Sequence, residues 1–256
     1  MDDKTPRSVR FAGVVRLFGP EGARRLAGSH VCVVGVGGVG SWAVETLARS
    51  GVGRLTLIDG DVVAESNINR QIQALDSTLG KPKVTVLAER IAQINPDCRV
   101  FPVQRFVEAP NMDELIGSGS FDFVIDAIDR VRDKTELIAY CRDRSIPMIT
   151  AGSAGGQMDP TLIEIRDLSR TEQEPLLAKV RKRLRSQHGF SRNPKNKFGI
   201  DAVYSREPVS YPEKENTDSE QPVTGLNPAG FGTSMAVTAG FGLAAASCVL
   251  RRIAFR

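Results

Sequence analysis

The sequence predicts an α/β fold, a doubly wound and mainly parallel sheet, from three observations. Apolar runs of strand length alternate along the chain with segments of helical pattern. The runs are almost continuously apolar, as expected of parallel strands that helices cover on both faces. A glycine-rich turn follows the first run and acidic residues end two others. Because ligands of such folds bind at the carboxyl ends of the strands, that edge of the sheet is the expected site.

The predicted elements follow one another closely. Strands are predicted over residues 31–34, 54–58, 98–103, 121–127 and 146–150, and helices over 41–50, 82–94, 111–116 and 131–142. Pro82 suits the first turn of its helix. Beyond residue 156 the pattern predicts a strand at 162–165, a helix at 174–185, and short strands around 202–204 and 209–211 in a long polar loop, 186–227. We interpret residues 1–256 as one domain, with a nucleotide-binding core at about 10–160 and a second part at about 161–256.

Composition is that of a soluble globular protein, with 41% hydrophobic and 25% charged residues and a net charge of +4. The four cysteines are far apart and form no C-x-x-C pair, which argues against zinc and against a disulfide framework. The first residues lack the apolar core of a signal peptide. These observations predict a cytoplasmic protein.

The last predicted helix is uncharged and rich in small residues over 235–250. It is short and weakly hydrophobic for a membrane span. A buried helix packed closely on the sheet is the favoured interpretation, and a membrane anchor is the alternative.

The glycine turn is expected to cradle phosphate. Glycines let the backbone approach an anion closely, and the N–H groups of a helix start offset its charge. Asp59 ends the second strand, where an acid takes the hydroxyls of a ribose, and Asp61 is a turn residue or a supporting partner. These features fit NAD as well as ATP. The candidate residues of the turn are Gly35, Gly37, Gly38, Val39, Gly40 and Ser41.

Basic and amide side chains near this turn favour ATP. Asn67, Arg70 and Gln71 follow the ribose acid closely, and Lys83 begins the next helix. A hydride-transfer enzyme has little need for these cations, whereas an enzyme that cleaves ATP needs them to stabilise shifting negative charge. We therefore assign catalytic roles to Arg70 and Lys83.

Two acids, Asp126 and Asp129, lie at and just beyond the carboxyl end of the strand predicted over 121–127. A carboxylate there is placed to hold Mg²⁺ on phosphate oxygens. Asp126 could instead brace the loop, so Asp129 is the favoured metal ligand and the third catalytic residue.

Over residues 10–150 the sequence resembles the adenylating enzymes related to ubiquitin-activating enzyme. The resemblance rests on the order of the candidate residues along the chain: the glycine turn, Asp59, then Asn67, Arg70 and Gln71, then Lys83 and Asp129. The resemblance implies that Asp59 holds the ribose, that Asn67, Arg70 and Lys83 hold phosphates, and that Asp129 serves Mg²⁺. The implied reaction is attack of a carboxylate on the α-phosphate of ATP. It gives an acyl-adenylate and pyrophosphate.

The chain departs from the sulfur-carrier activators of that family. It lacks their paired zinc motifs and has no cysteine between Cys141 and Cys248, where a thioester- or persulfide-forming residue would be expected. An arginine that reaches into the partner subunit's site is typical of the family. Gly13 stands where it would align, and either Arg10 or Arg16 could serve instead.

A closer resemblance, nearly end to end, is to the tRNA threonylcarbamoyladenosine dehydratases. It implies ATP-dependent activation of the threonine carboxylate of the modified adenosine, followed by cyclisation with net loss of water, with no need for a protein nucleophile. It also implies a homodimer, and it leaves open a monovalent cation, Na⁺ or K⁺, and a sulfur-transfer protein partner. The matching stretches are Arg10-Phe11, GGVGSW at 37–42, NRQI at 69–72, IDAID at 125–129 and AGSAGGQMDP at 151–160.

A run of basic residues without an acid supports an RNA substrate, because such a helix and loop suit phosphates. A solvated helix face and a surface for acidic carrier proteins are the alternatives. An activator of a small ubiquitin-like sulfur-carrier protein thus remains the second functional hypothesis, and a nicotinamide dehydrogenase is the least favoured. The candidate RNA-binding residues are Lys179, Arg181, Lys182, Arg183, Arg185, Arg192, Lys195 and Lys197.

Overall fold

The structure, a computed structural model, describes residues 9–211 and 231–256 and is built on one sheet of seven strands. The strands are β1 His30–Val34, β2 Arg54–Ile58, β3 Arg99–Val103, β4 Phe123–Asp126, β5 Met148–Ala151, β6 Ile163–Asp167 and β7 Asp201–Ser205. Their order across the sheet is β3-β2-β1-β4-β5-β7-β6. Neighbouring strands are parallel except β6 and β7, which are antiparallel. The prediction of a mainly parallel α/β sheet is confirmed.

Six α-helices flank the sheet within the described residues: α1 Ala12–Gly28, α2 Gly40–Arg49, α3 Lys83–Ile94, α4 Val131–Asp143, α5 Pro175–Gln187 and α6 Met235–Ala254. The sequence analysis did not predict α1. Its helical pattern is broken in the middle, because Gly19 has a φ of 73° and Pro20 follows it.

Alternation along each strand divides the core into two layers. In β1, Val31 and Val33 pack with α2, α3 and α6, whereas Cys32 and Val34 face the layer of α4 and α5. Helices therefore cover both faces of the sheet, and the open positions lie at the strand ends. All four cysteines are free thiols.

Helix α6 is a core helix, as the favoured interpretation predicted. Its length and composition alone would allow a membrane span, but 61% of its most apolar window is buried. The small residues of α6 allow it to pack closely against its neighbours. A Cβ on Gly242 would lie 2.4 Å from the carbonyl oxygen of Val39, so α6 rests directly on the start of α2.

Two local predictions were wrong. Residues 209–211 form no strand, because Pro208 lacks a donor and the N–H of Ser210 donates to the loop carbonyl of Gly156 at 2.8 Å. The helix predicted over 111–116 is instead a 3₁₀ turn, Ala109–Asn111, followed by a π turn, Asp113–Gly117. The part of the long loop at 212–227 lies outside the described residues.

Candidate nucleotide-binding site

A cavity of about 260 Å³ opens at the carboxyl ends of four adjacent strands. Following the sheet from β2 through β1 and β4 to β5, it is lined by Asp59, the glycine turn, Asp129 and residues 152–155. Crossovers run in opposite directions from β1, so this edge is where the strand order reverses and where such folds bind ligands. The sequence predicted this edge.

The glycine turn has its shape because side chains are sterically excluded. Gly35 has a φ of 83°, and a Cβ there would lie 2.8 Å from the carbonyl oxygen of Ala127. A Cβ on Gly40 would lie 1.8 Å from the carbonyl oxygen of Gly35. The glycine turn can pack this closely against the backbone that follows β4 only because these two residues have no side chain.

Most of the predicted turn residues reach the cavity. Gly35, Gly37, Gly38 and Val39 line it. Gly40 and Ser41 do not, because both are buried beneath the turn, where the N–H of Ser41 donates to the carbonyl of Gly37 at 3.1 Å.

Asp59 is a buried carboxylate that organises the turn around it. Its oxygens accept the backbone N–H groups of Val36, at 2.8 Å, and Asp61, at 2.9 Å. Burial raises the pKa of Asp59, although these donors and the nearby Lys83 act in the opposite sense. The carboxylate therefore joins the end of β2 to the glycine turn after β1.

Both predicted cations, Arg70 and Lys83, line the same cavity. The ammonium of Lys83 is 2.9 Å from a carboxylate oxygen of Asp61, which defines Asp61 as its partner. Arg70 donates to the carbonyl of Ser66 at 2.6 Å, and the Trp42 indole N–H donates to the carbonyl of Arg70 at 3.0 Å. Burial lowers the pKa of the Arg70 guanidinium, while the charge of Asp129 opposes that shift.

The two amide residues line the cavity and also fix the segment that carries Arg70. Asn67 accepts the N–H of Ala64 at 3.1 Å. Gln71 accepts the amide of Gln73 at 3.1 Å, and Gln73 in turn donates to the carbonyl of Val36 at 2.8 Å. This segment is thereby attached to the glycine turn.

Of the two acids at the end of β4, only Asp129 lines the cavity. Asp126 is fully buried in an ion pair with Lys134 at 2.8 Å and accepts the Thr150 hydroxyl at 2.7 Å. It also accepts the N–H of Ile128 at 3.0 Å, which shapes the loop that carries Asp129. Asp126 is thus a brace, the alternative that the sequence left open.

The sequence analysis missed one wall of the cavity. Phe106 lies against the turn after β2, since a Cβ on Gly60 would be 2.7 Å from its ring, and the Arg130 guanidinium lies 4.7 Å from its centroid. Both residues line the cavity. Phe106 follows β3, another strand ending at this edge, and that position was the available signal. Thr233 and Thr238, from the start of α6, also line the site and were missed.

The basic run is only partly available for a ligand. Arg181 donates to the hydroxyl of Thr171, Arg185 lies 5.1 Å over the ring of Phe198, and Arg183 is half-buried. The remaining residues of the run are exposed: Lys179, Lys182, Arg192, Lys195 and Lys197.

Neither candidate for the inter-subunit arginine lines this cavity. Arg10 donates to the carbonyls of Gln93, at 3.0 Å, and Ile94, at 2.5 Å, at the end of α3. Arg16 is exposed on α1. Over residues 9–211 and 231–256, no group of three or more His, Cys, Asp or Glu side chains is placed to hold a metal.

The doubly wound sheet and the polar cavity at its strand ends define a nucleotide-binding α/β protein. Comparison with known proteins identifies the family: residues 11–249 match the ThiF family, and the chain belongs to it.

Two similar proteins bear the same name. The chain is 49% identical, over 95% of its length and 93% of the relative's, to the tRNA threonylcarbamoyladenosine dehydratase of Haemophilus influenzae. It is 48% identical to the Escherichia coli enzyme of that name, with the same coverage. The E. coli structure in complex with ATP superimposes with a TM-score of 0.86 over 95% of this chain and 93% of that one. The resemblance stated from the sequence is confirmed.

Proposed function

We propose that this protein is an ATP-dependent tRNA threonylcarbamoyladenosine dehydratase. It activates the threonine carboxylate of the modified adenosine as an acyl-adenylate, and the side chain then cyclises on itself. The observation that carries the proposal is one cavity that combines the glycine turn with Arg70, Lys83 and Asp129, while its described lining contains no cysteine. In an activator of sulfur-carrier proteins, the family resemblance leads us to expect a cysteine for the thioester or persulfide step that follows adenylation.

The reaction balances without a protein nucleophile. A carboxylate oxygen of the substrate attacks the α-phosphorus of ATP, and the bond to pyrophosphate breaks. An atom of the same side chain then attacks the activated carbonyl carbon and displaces AMP, which retains the attacking carboxylate oxygen. One proton leaves the attacking atom, so the RNA product is lighter by one water.

The proposed roles follow from the order of residues along the sheet edge. Asp59 holds the ribose, and the turn residues that line the cavity take the phosphates with Asn67 and Gln71. These turn residues are Gly35, Gly37, Gly38 and Val39. Arg70 and Lys83 stabilise the charge that moves onto pyrophosphate. Arg70 lies on an anchored segment and the buried Lys83 ammonium is held in an ion pair with Asp61, so little reorganisation is needed during the reaction.

Asp129 is the proposed ligand of Mg²⁺. A single exposed carboxylate fits this ion, which protein sites hold through one or two carboxylates together with substrate phosphates. When bound, Mg²⁺ would neutralise phosphate charge in the transition state. Asp129 and Arg70 both line the cavity, and the charge of Asp129 opposes the lowering of the Arg70 pKa by burial.

The exposed residues of the basic run are proposed to contact tRNA phosphates. Helix α5 begins at the cavity, since Leu176 lines it, and carries Lys179 and Lys182 outward. Arg181 and Arg185, which are half-buried, instead stabilise the region through Thr171 and Phe198. A homodimer, a monovalent cation and a sulfur-transfer partner stay predictions, and we propose a cytoplasmic enzyme without membrane contact because α6 is packed in the core.

Incubation with ATP, Mg²⁺ and tRNA that bears threonylcarbamoyladenosine tests the proposal. Mass spectrometry of the digested RNA should show a nucleoside lighter by one water, with AMP formed in equal amount. Unchanged RNA at saturating ATP would exclude the proposed reaction. Pyrophosphate exchange that depends on a carrier protein ending in Gly-Gly would support the alternative instead.

A further inference from the structure

One buried carboxylate joins the first turn of α5 to the wall of the nucleotide cavity. Glu174 is 2% exposed. Its Oε1 accepts the backbone N–H groups of Ser153, at 2.9 Å, and Leu176, at 3.2 Å, and its Oε2 accepts that of Leu177. Ser153 and Leu176 both line the cavity. The same side chain therefore holds the loop 152–155 and the start of the basic helix.

The loop fits closely around this carboxylate. A Cβ on Gly152 would lie 2.9 Å from Cγ and 3.0 Å from Cδ of Glu174, so the side chain packs directly against the loop backbone. The N–H of Gly152 donates to the carbonyl of Val203 at 2.8 Å, which anchors the loop to β7. A movement of the first turn of α5 would therefore displace the loop.

Burial raises the pKa of Glu174, and the groups around its carboxylate act in the opposite sense. Three backbone N–H donors point at it, two of them at the start of a 13-residue helix, where the helix dipole favours an anion. The buried ammonium of Lys134 is near enough to favour the charged form. A glutamine amide would turn its NH₂ group toward at least one of these donors.

The loop lies at the substrate end of the site. Across the sheet edge, Asp59 marks the ribose end, the glycine turn and Asp129 mark the phosphates, and the loop after β5 comes next. Helix α5, which carries the exposed Lys179 and Lys182, starts beside this loop. With the roles proposed above, the substrate carboxylate would enter between α5 and the α-phosphate of ATP.

We propose that Glu174 is a positioning residue that couples tRNA engagement on α5 to the geometry of the loop 152–155, against which the substrate carboxylate is held. This inference rests on the proposed function. A displacement of the loop by about 1 Å can reduce the rate of the reaction by about 100-fold while substrate binding changes little.

The test compares Glu174→Gln with Glu174→Asp, which retains the carboxylate and its ability to cap the helix. Glu172→Gln is the matched control, because Glu172 is an exposed glutamate in the same segment, 4.0 Å from Arg166. ATP affinity is followed by the fluorescence of Trp42, the single tryptophan, which lies beside Arg70. Two further quantities are measured for each variant. They are the affinity for modified tRNA and the single-turnover rate of RNA conversion at saturating ATP and tRNA.

We expect Glu174→Gln to bind ATP and tRNA with affinities within about twofold of those of the wild-type protein. It should convert RNA about 100-fold more slowly. Glu174→Asp should recover most of the rate, and Glu172→Gln should retain it. If Glu174→Gln does not fold, Gly152→Ala provides the same test, since its Cβ would displace the carboxylate. An equal rate in the folded variant, or a loss that lies wholly in ATP or tRNA affinity, would overturn the inference.

The same measurements separate the inference from the function on which it rests. If the wild-type protein binds ATP but converts no RNA, the proposed function and this inference are both refuted. If the wild-type protein and Glu174→Gln convert RNA at equal rates, only the inference is refuted.

Discussion

The contact of α6 with the glycine turn makes a sharp prediction for Gly242→Ala. The added Cβ would lie 2.4 Å from the carbonyl oxygen of Val39, 2.8 Å from the Trp42 Cβ and 2.9 Å from the backbone nitrogen of Ala43. Two of these three atoms belong to backbone that cannot rotate away. Helix α6 and the start of α2 must therefore separate.

The size of the effect follows from the nature of this overpacking. One extra carbon in a tightly packed core costs about 1–3 kcal/mol of unfolding free energy, which lowers Tm by about 2–12 °C for a chain of this size. Val39 lines the cavity, so a shift of α2 also moves the phosphate turn. We expect ATP affinity to fall by about tenfold, equivalent to about 1.4 kcal/mol.

Gly240→Ala is the matched control on the same helix. Its Cβ would meet Ile163 Cδ1 at 2.5 Å, the far end of a flexible side chain that can change rotamer, and Pro160 at 3.7 Å. The substitution adds the same methyl group but does not press on the glycine turn. It should lower Tm less than Gly242→Ala and leave ATP affinity unchanged.

Thermal denaturation and calorimetric titration with ATP measure both quantities without relying on Trp42, which the substitution touches. Equal losses of ATP affinity in the two variants would refute the reasoning, because the effect would then come from α6 in general. Unchanged affinity in Gly242→Ala would show that the contact does not support the turn.

The remaining predictions concern single charges. Asp129→Asn should retain ATP binding and the fold. Its turnover, measured by AMP release, should fall by about 100-fold, because Mg²⁺ loses its protein ligand and transition-state charge is then less well neutralised. Lys134→Met leaves Asp126 buried without its partner and should cost about 3–5 kcal/mol in urea denaturation. Lys182→Glu should weaken tRNA binding at all sequences and lower its salt slope by about 1, measured by filter binding. Because burial raises the pKa of Asp59, ATP affinity should fall as the pH drops through that raised value, since the carboxylate that binds is present only above it.

Controls for these charges come from the same elements. Asp59→Asn should bind ATP weakly with a flat pH profile, so an equally steep profile in that variant would contradict the assignment. Adding Asp126→Asn to Lys134→Met should recover part of the lost stability, because no buried charge then lacks a partner. Glu136→Gln on α4 is a control for tRNA binding, and a salt slope lowered as much in it as in Lys182→Glu would refute the α5 contact.

Local signals in the sequence were sufficient for the phosphate end of the site. The predicted strand at 54–58 matches β2 residue for residue, because a short apolar run ending in Asp59 has few other interpretations. The glycine turn was equally clear, and two of its glycines, Gly35 and Gly40, meet a steric requirement that a residue with a side chain would not.

Features that depend on tertiary contacts could not be predicted. The choice between Asp126 and Asp129 is decided by Lys134, which reaches back from α4 into the core. Phe106 reads as an ordinary loop residue until it packs on the turn after β2. Glu174 looked like the start of a basic helix, and its link to Ser153 exists only because α5 returns to the end of β5.

Oxygen transfer distinguishes the proposed chemistry from other uses of ATP. Modified tRNA labelled with ¹⁸O in the threonine carboxylate should transfer one labelled oxygen to AMP, with unlabelled pyrophosphate, because the carboxylate attacks the α-phosphorus. The label in inorganic phosphate, with ADP as the other product, would mean attack on the γ-phosphorus. That result would contradict the assignment of this cavity as an adenylation site.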